Sequence, residues 1–548
     1  MPTAARRLVD CLVANDVTHV FCVPGESYLA VLDALHDVAD KIRLIACRHE
    51  AGAANMAEAY GKLTGKPGIC MVTRGPGATH ASIGVHTAQQ DSTPMILFVG
   101  QVARHDLGRG AFQEVDYGQA FGPLSKWASQ IDDADRVAEV VGRAFAVAQQ
   151  GRKGPVVLAL PEDMLVEEAN GPDAFKVAPA RAGLDAGALA AIGERLAAAR
   201  QPLLVLGGSG WDRDGLDALT GWIEAHDLPT VLSFRRKDLI SNDHPCYVGD
   251  LGLGPNPKLL ERIRQADLVI ALGARLGENP TQGYSLLTAA ETARKLIHIH
   301  AGPEELGRVW PAAVAAVADT ASAARSLATL EPGGDWKAWR DAARADYEAF
   351  TRPVEVGSDV NLSQVVAHMA EVLPADAIIC NGAGNFAAWL HRFYRHRAWH
   401  SQLAPTSGAM GYGFPAAIAA KLVHPEREVV CFAGDGDFMM LSQEMATAAQ
   451  YEANLVVVVV DNGSYGTIRM HQEKNYPGRV SATDLRNPDF KAFAESFGAW
   501  SKLVERTADF PAALAEARAA GRPALIHLKT SVEDIAPGRT ISALRSGR

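Results

Sequence analysis

Short apolar runs alternate with stretches of helical periodicity along most of this chain. Runs rich in β-branched residues and bounded by turn formers predict strands buried on both faces, as in parallel sheets covered by helices. In the first third they predict strands at Val17–Val23, Ile42–Cys47, Gly68–Thr73, Met95–Val99 and Val156–Leu160. A polar segment bearing Pro and Gly, Glu167 to Gly183, reads as a linker. The alternation resumes at Pro202–Leu206, Thr230–Ser233, Leu268–Leu272 and Leu296–His300, then fades near Glu331-Pro332-Gly333-Gly334. It returns at Ala377–Cys380, Glu428–Ala433, Leu455–Val460 and Ala524–Leu528. The expected fold class is therefore α/β, with three doubly wound parallel-sheet domains over 1–170, 184–335 and 360–530. The polar remainder, 531–548, is expected to be a mobile arm or a lid.

The last block carries the most specific local signal. Val429–Ala433 runs into Gly434-Asp435-Gly436-Asp437, and Val456–Val460 runs into Asp461-Asn462-Gly463. Between them Leu441, Met445, Ala448 and Ala449 recur at helical spacing. Strand, helix, parallel strand is a right-handed crossover, and open α/β sheets bind ligands beyond the carboxyl ends of such strands. Asp435 and Asn462 are thus expected to converge before a glycine turn and a helix amino terminus, a place for a diphosphate and a hard cation. Mg²⁺ would take the Asp435 carboxylate, the Asn462 amide oxygen and a backbone carbonyl near Ser464. A structural strand–turn–helix corner is the alternative for Gly-Asp-Gly alone. An EF-hand is excluded, because Phe438, Met439 and Met440 stand where that loop needs oxygen ligands.

Composition narrows the class further. The 548-residue chain is 48% hydrophobic with a net charge of −10, so it has size for several domains and no basic footprint for nucleic acid. Its seven cysteines are scattered without metal-ligand spacing, as in a reduced intracellular protein. No apolar stretch is long enough to span a bilayer, and residues 1–20 lack a signal-peptide core. A soluble cytoplasmic enzyme without a membrane or nucleic-acid partner is expected.

Several motifs in a fixed order carry a family resemblance: Arg48-His49-Glu50-Ala51 with Asn55-Met56-Ala57, Gly75-Pro76-Gly77-Ala78-Thr79, Gly100-Gln101-Val102, Ala111-Phe112-Gln113-Glu114, Gly411–Ala417, and the Gly434 and Asp461 segments. Together they resemble thiamine diphosphate-dependent enzymes of the acetolactate synthase and pyruvate oxidase branch, over nearly the whole chain. The resemblance implies a pyrimidine-binding, a central and a diphosphate-binding domain. It implies Glu50 as the acid beside the aminopyrimidine ring, and the local pattern agrees: Glu50 follows a strand and opens a helix of small residues (Ala51, Gly52, Ala53, Ala54) that desolvates a carboxyl. The alternative is an acid that only complements its helix dipole. Met410 resembles the residue that props the bent cofactor, with the Gly408 carbonyl holding its amino group. Gly384, Asn385, Phe386, Gly434, Gly436, Asp437, Tyr465 and Gly466 fall at cofactor contacts.

On the substrate side, Gln113 and Phe112 match pocket residues of the synthases, and Lys126 matches an entrance lysine less clearly. Three positions depart. Glu26 stands where the synthases carry glycine, either to handle protons or to cap a helix. His80 replaces an asparagine, and His471 replaces the tryptophan that selects the second ketoacid. The flavin-binding segments of the central domain are also altered, to Gly249–Gly254 and Ile297–Pro303, although Arg275 is kept, so the expectation leans away from FAD.

The implied activity is thiamine diphosphate- and Mg²⁺-dependent decarboxylation of a small 2-oxo acid with carboligation of the enamine. A non-ligating decarboxylase like benzoylformate decarboxylase, another thiamine-dependent lyase, or a catalytically silent thiamine-binding protein are the alternatives. Glu50, Gln113, His80, Glu26 and His471 are the candidate catalytic residues. By the same resemblance the active sites lie between subunits of a homodimer or homotetramer.

Overall fold

The computed structural model describes residues 1–547 and contains three six-stranded, all-parallel sheets. The first holds β1 (His19–Cys22), β2 (Arg43–Ala46), β3 (Gly68–Val72), β4 (Met95–Gln101), β5 (Trp127–Gln130) and β6 (Pro155–Pro161), in the order β2-β1-β3-β4-β6-β5. The second holds β7 (Pro202–Leu206), β8 (Thr230–Leu232), β9 (Tyr247–Asp250), β10 (Leu268–Leu272), β11 (Leu296–His300) and β12 (Val314–Val317), ordered β12-β11-β10-β7-β8-β9. The third holds β13 (Ile378–Asn381), β14 (Gln402–Leu403), β15 (Val429–Gly434), β16 (Val456–Asp461), β17 (Trp500–Val504) and β18 (Ala524–Lys529), ordered β14-β13-β15-β16-β18-β17. The outer two sheets therefore share one topology. The middle sheet has the 3-2-1-4-5-6 order of dinucleotide-binding folds.

Every strand anticipated from an apolar run is present, within a residue or two of its expected ends. The five strands that the apolar runs do not mark, β5, β9, β12, β14 and β17, all lie at sheet edges. An edge strand has one neighbour and needs less burial, so β5, β9, β14 and β17 lack a long apolar run, while β12 lies in the alanine-rich stretch Ala312–Ala318. The middle domain also reaches past 335. The helix Lys337–Phe350 buries Tyr347 edge-on against Tyr247 of β9, with ring centroids 4.9 Å apart, and Trp336 before it is buried in the same core.

The first and third domains share one continuous core. Its centre is the helix Glu50–Thr64, packed against the helices Pro76–Asp91 and Gly413–Val423. Alanine and glycine dominate the facing sides, so the backbones approach closely. At Gly52 a β-carbon would stand 2.4 Å from the Glu444 carboxylate. That buried carboxylate accepts from the amides of Arg48 (3.1 Å) and His49 (2.9 Å), which fixes the loop before Glu50 on the third domain. All seven cysteines are buried thiols.

A buried ion pair reinforces the same seam. Lys62 Nζ donates to Asp91 Oδ2 at 2.8 Å and to the Ala404 carbonyl at 2.6 Å, while the Thr406 amide donates to Asp91 Oδ1 at 2.7 Å. Both charged side chains are 1% exposed. Asp91→Ala leaves an ammonium buried without its partner, so it is expected to lower unfolding free energy by about 3–5 kcal/mol. Guanidinium unfolding of variant and wild type reads this directly, and an unchanged midpoint would refute the role of the pair.

Candidate active site

In the third domain β15 and β16 pair in parallel with Gly434 opposite Val460, so Asp435 and Asn462 emerge together at the carboxyl edge of the sheet. They line one cavity of about 360 Å³. Its wall also contains Gly384, Asn385, Phe386, Gly408, Met410, Gly434, Gly436, Asp437, Ser464, Tyr465 and Gly466. Thirteen of the fourteen candidate cofactor residues thus meet in one place; Glu50 is the exception. Two helices, Phe386–Phe393 and Gly466–Asn475, begin at this wall, where the positive ends of their backbone dipoles favour an anion.

Asp435 and Asp437 lie in the cavity wall, and Asp461 stands behind Asp435, joined to it through Asn487. Asp435 accepts from the amides of Gly436 and Gly463, each at 2.9 Å, and from Asn487 Nδ2 at 2.7 Å. Burial pushes its pKa up to about 6 against these hydrogen bonds. Asp437 is pushed to about 7 by burial, although the amides of Gly411 (2.9 Å) and Ala383 (3.1 Å) donate to it. Its place is structural as much as liganding: it ties together the loops carrying Gly384 and Met410, and a β-carbon at Gly382 would stand 2.0 Å from it. Asp461 is also buried, but hydrogen bonds from His527, Lys529 and Asn487 outweigh that and hold it well below the usual carboxylate range. Among the described residues no cationic side chain pairs with Asp435. A hard cation would meet the Asp435 carboxylate, the Asn462 amide oxygen and the backbone at Ser464, a donor set suited to Mg²⁺. The amides at the two helix starts suit a diphosphate, so the residues fit both parts of a magnesium diphosphate group.

Asn487 was invisible to motif reasoning. Its side-chain amide bridges Asp435 and Asp461 at 2.7 and 2.8 Å from a loop that carries no recognisable pattern. The tail also joins the site. Thr530, Ser531, Asp534 and Ile535 line the cavity, and the Ile535 carbonyl accepts from Asn385 Nδ2 at 3.1 Å. Further on, Arg545 grips the buried Glu473 with two hydrogen bonds at 2.7 and 2.8 Å. The segment lies against the cavity as a roof; its last residue, Arg548, lies outside the described residues.

The first-domain candidates form a separate group. Glu50 opens its helix after β2, 14% exposed, and its Oε2 lies 2.9 Å from His80 Nδ1. His49 caps the helix by accepting from the Ala51 amide at 3.0 Å, and its ring packs on His80 with centroids 4.4 Å apart. Gln113 sits nearby against Gly75 with φ +65°. Glu26 is exposed, begins a short 3-10 turn and lies 3.4 Å from Arg74. Phe112 is 75% exposed. Lys126 is drawn away, its ammonium donating to the carbonyls of Val147 and Gln150 at a helix end. None of these residues lines the Asp435 cavity of its own chain. His471 lies on an adjoining cavity.

Residues 2–120, 189–327 and 382–528 match, in turn, the N-terminal TPP binding domain, the central domain and the C-terminal TPP binding domain of thiamine pyrophosphate enzymes. Among curated relatives, the acetolactate synthase large subunit of Parasynechococcus marenigrum is 33% identical, over 90% of this chain and 82% of the relative. The acetolactate synthase isozyme 2 large subunit of Escherichia coli is 30% identical, over 96% and 95%. The acetolactate synthase of Mycobacterium bovis is 31% identical, over 94% and 86%.

Proposed function

The chain belongs to the thiamine pyrophosphate enzyme family, and from that premise we propose that it decarboxylates a 2-oxo acid with Mg²⁺ and joins the remaining fragment to a second carbonyl compound. The observation that carries this reading is the Asp435 cavity, whose carboxylate, amide oxygen and helix starts fit a magnesium diphosphate. When bound, the cofactor supplies a thiazolium ring that accepts the electron pair released as CO₂ leaves.

The chain's own residues divide the remaining work. Asp435, Asn462 and the Ser464 backbone hold the cation, while the amides near Gly384 and Gly466 receive the phosphates. Met410 supports the rings from the cavity wall. Glu50 exchanges a proton through its carboxyl oxygen, and His80 Nδ1 orients that carboxyl. Gln113, His471 and Glu26 would meet the substrate and its acceptor.

A second copy of the chain completes the site in this reading. Glu50 and Asp435 do not share a cavity within one chain, and apolar side chains are exposed beside both: Leu29 and Phe112 in the first domain, Met439, Met440 and Ile468 in the third. A two-fold pair would bury them and bring each Glu50 over its partner's cavity. FAD is outside this reading. Arg275 is engaged by the Gln90 carbonyl at 3.0 Å and by Glu305 at 3.3 Å, and His298 is turned to the Ala274 carbonyl.

Product analysis by NMR with a panel of 2-oxo acids and aldehydes, in added thiamine diphosphate and Mg²⁺, tests the reading. A 2-hydroxy ketone product is expected. Release of free aldehyde alone would assign the chain to the non-ligating decarboxylases, and a visible spectrum with a flavin band would add FAD to the reading.

A further inference from the structure

Beyond Asn385 and His391 the cofactor cavity continues into a second one of about 650 Å³. Leu253, Asn385, Ala388, His391 and Thr467 belong to both walls. The far wall is built from the central-domain loop at Gly249–Pro257, the helix Phe386–Phe393, the helix Gly466–Asn475 and the roof segment at 536–539.

Two guanidiniums face this space without a counter-ion. Arg392 is half-buried; its Nε donates to the Phe350 carbonyl at 2.9 Å, and the guanidinium lies 4.0 Å from the Phe350 ring centroid and 5.1 Å from that of Phe393. Burial lowers its pKa, and among the described residues no carboxylate pairs with it. Arg539 makes backbone hydrogen bonds to Ala536, and its side chain has no ion pair among the described residues. The lining's single acid, Asp250, is engaged by Lys237 at 3.7 Å. His391 is held neutral, burial pushing its pKa well below the ordinary value. His471 adds an exposed imidazole to the same wall. The lining is thus net positive.

A stacked, partly desolvated guanidinium with no partner is unfavourable unless something anionic arrives. Its planar fork suits a carboxylate or phosphate. We propose that the substrate is a 2-oxo acid with a second anionic group, distal to its reacting carbonyl, which binds between Arg392 and Arg539. This rests on the 2-oxo acid reading above and sharpens it. A pyruvate-sized substrate would leave most of the second cavity empty and both cations unmet.

The test compares pyruvate and 2-oxobutyrate with 2-oxoglutarate, 2-oxoadipate and phosphonopyruvate on the cofactor-loaded enzyme. At least one dianion is expected to exceed pyruvate in kcat/KM by roughly tenfold. The carboxylate and phosphonate arms tell which anion is preferred. Arg392→Met is expected to raise the KM of that dianion roughly tenfold more than the KM of pyruvate, with Arg392→Lys intermediate and Arg539→Met in the same direction. Turnover of pyruvate with no dianion preferred, or an unmoved KM ratio in Arg392→Met, overturns the proposal and leaves the 2-oxo acid reading intact. Failure to turn over any 2-oxo acid overturns that reading instead. Titration calorimetry of the cofactor-free protein with glutarate and with inorganic phosphate then decides the anion site: binding weakened in Arg392→Met supports it, and equal or absent binding in both proteins overturns it.

Discussion

Asp435→Ala is expected to abolish Mg²⁺-dependent binding of thiamine diphosphate and to reduce activity by about three orders of magnitude or more. Among the described residues no lysine or arginine pairs with this carboxylate at the mouth of β15, unlike Asp461 with Lys529. Its loss removes a cation ligand and leaves the Gly463 amide and the Asn487 side chain with Asp461 as their remaining acceptor. Asp435→Asn keeps an oxygen in place without the charge and should fall between variant and wild type. Titration calorimetry with cofactor and Mg²⁺ separates binding from turnover. Wild-type affinity in Asp435→Ala would sink the assignment of this cavity.

Glu50→Gln is expected to retain cofactor binding while losing about 10²- to 10⁴-fold in kcat, because glutamine preserves the hydrogen bond to His80 but carries no exchangeable acid proton. The separation of Glu50 from Asp435 makes a sharper experiment possible. Glu50→Gln and Asp435→Ala subunits, each inactive alone, should regain activity when unfolded and refolded together. If each site takes Glu50 from one chain and Asp435 from the other, half of the randomly formed dimers are mixed and each contains one intact site. About a quarter of wild-type activity should return. No recovery from verified mixed dimers would place both residues in the same chain's site, or show that the pair does not act together.

How legible all this was depended on how local each cause is. β15 and β16 are central strands, buried on both faces, so their apolar runs declare them; Gly434-Asp435-Gly436 lies directly at the end of one such run. The cofactor wall could be read because short motifs at strand ends supply most of it. Asn487 could not, since nothing in its loop distinguishes it from any other surface asparagine until the fold lays it across Asp435 and Asp461. The same holds for the cationic cavity. Arg392 and Arg539 come from a helix and a tail far apart in the chain, and Gly249–Pro257 from another domain. Edge strands such as Trp500–Val504, largely half-exposed, were equally silent. The departures at Glu26, His80 and His471 were visible as unusual residues. Of these, His80 is the one the fold brings into contact with Glu50.

The roof over the cavity has a practical side. Between Ile535, hydrogen-bonded to Asn385, and Arg545, locked on Glu473, the segment runs beside both cavities, Ile535 in the wall of the first and Ala536, Pro537 and Arg539 in that of the second. An affinity tag or fluorescent fusion attached behind it would hang from that wall. It would pull on a five-residue helix, Ile541–Arg545, held chiefly by one arginine and the buried Ile541. Met1, 73% exposed and outside both linings, is a handle that leaves these walls alone.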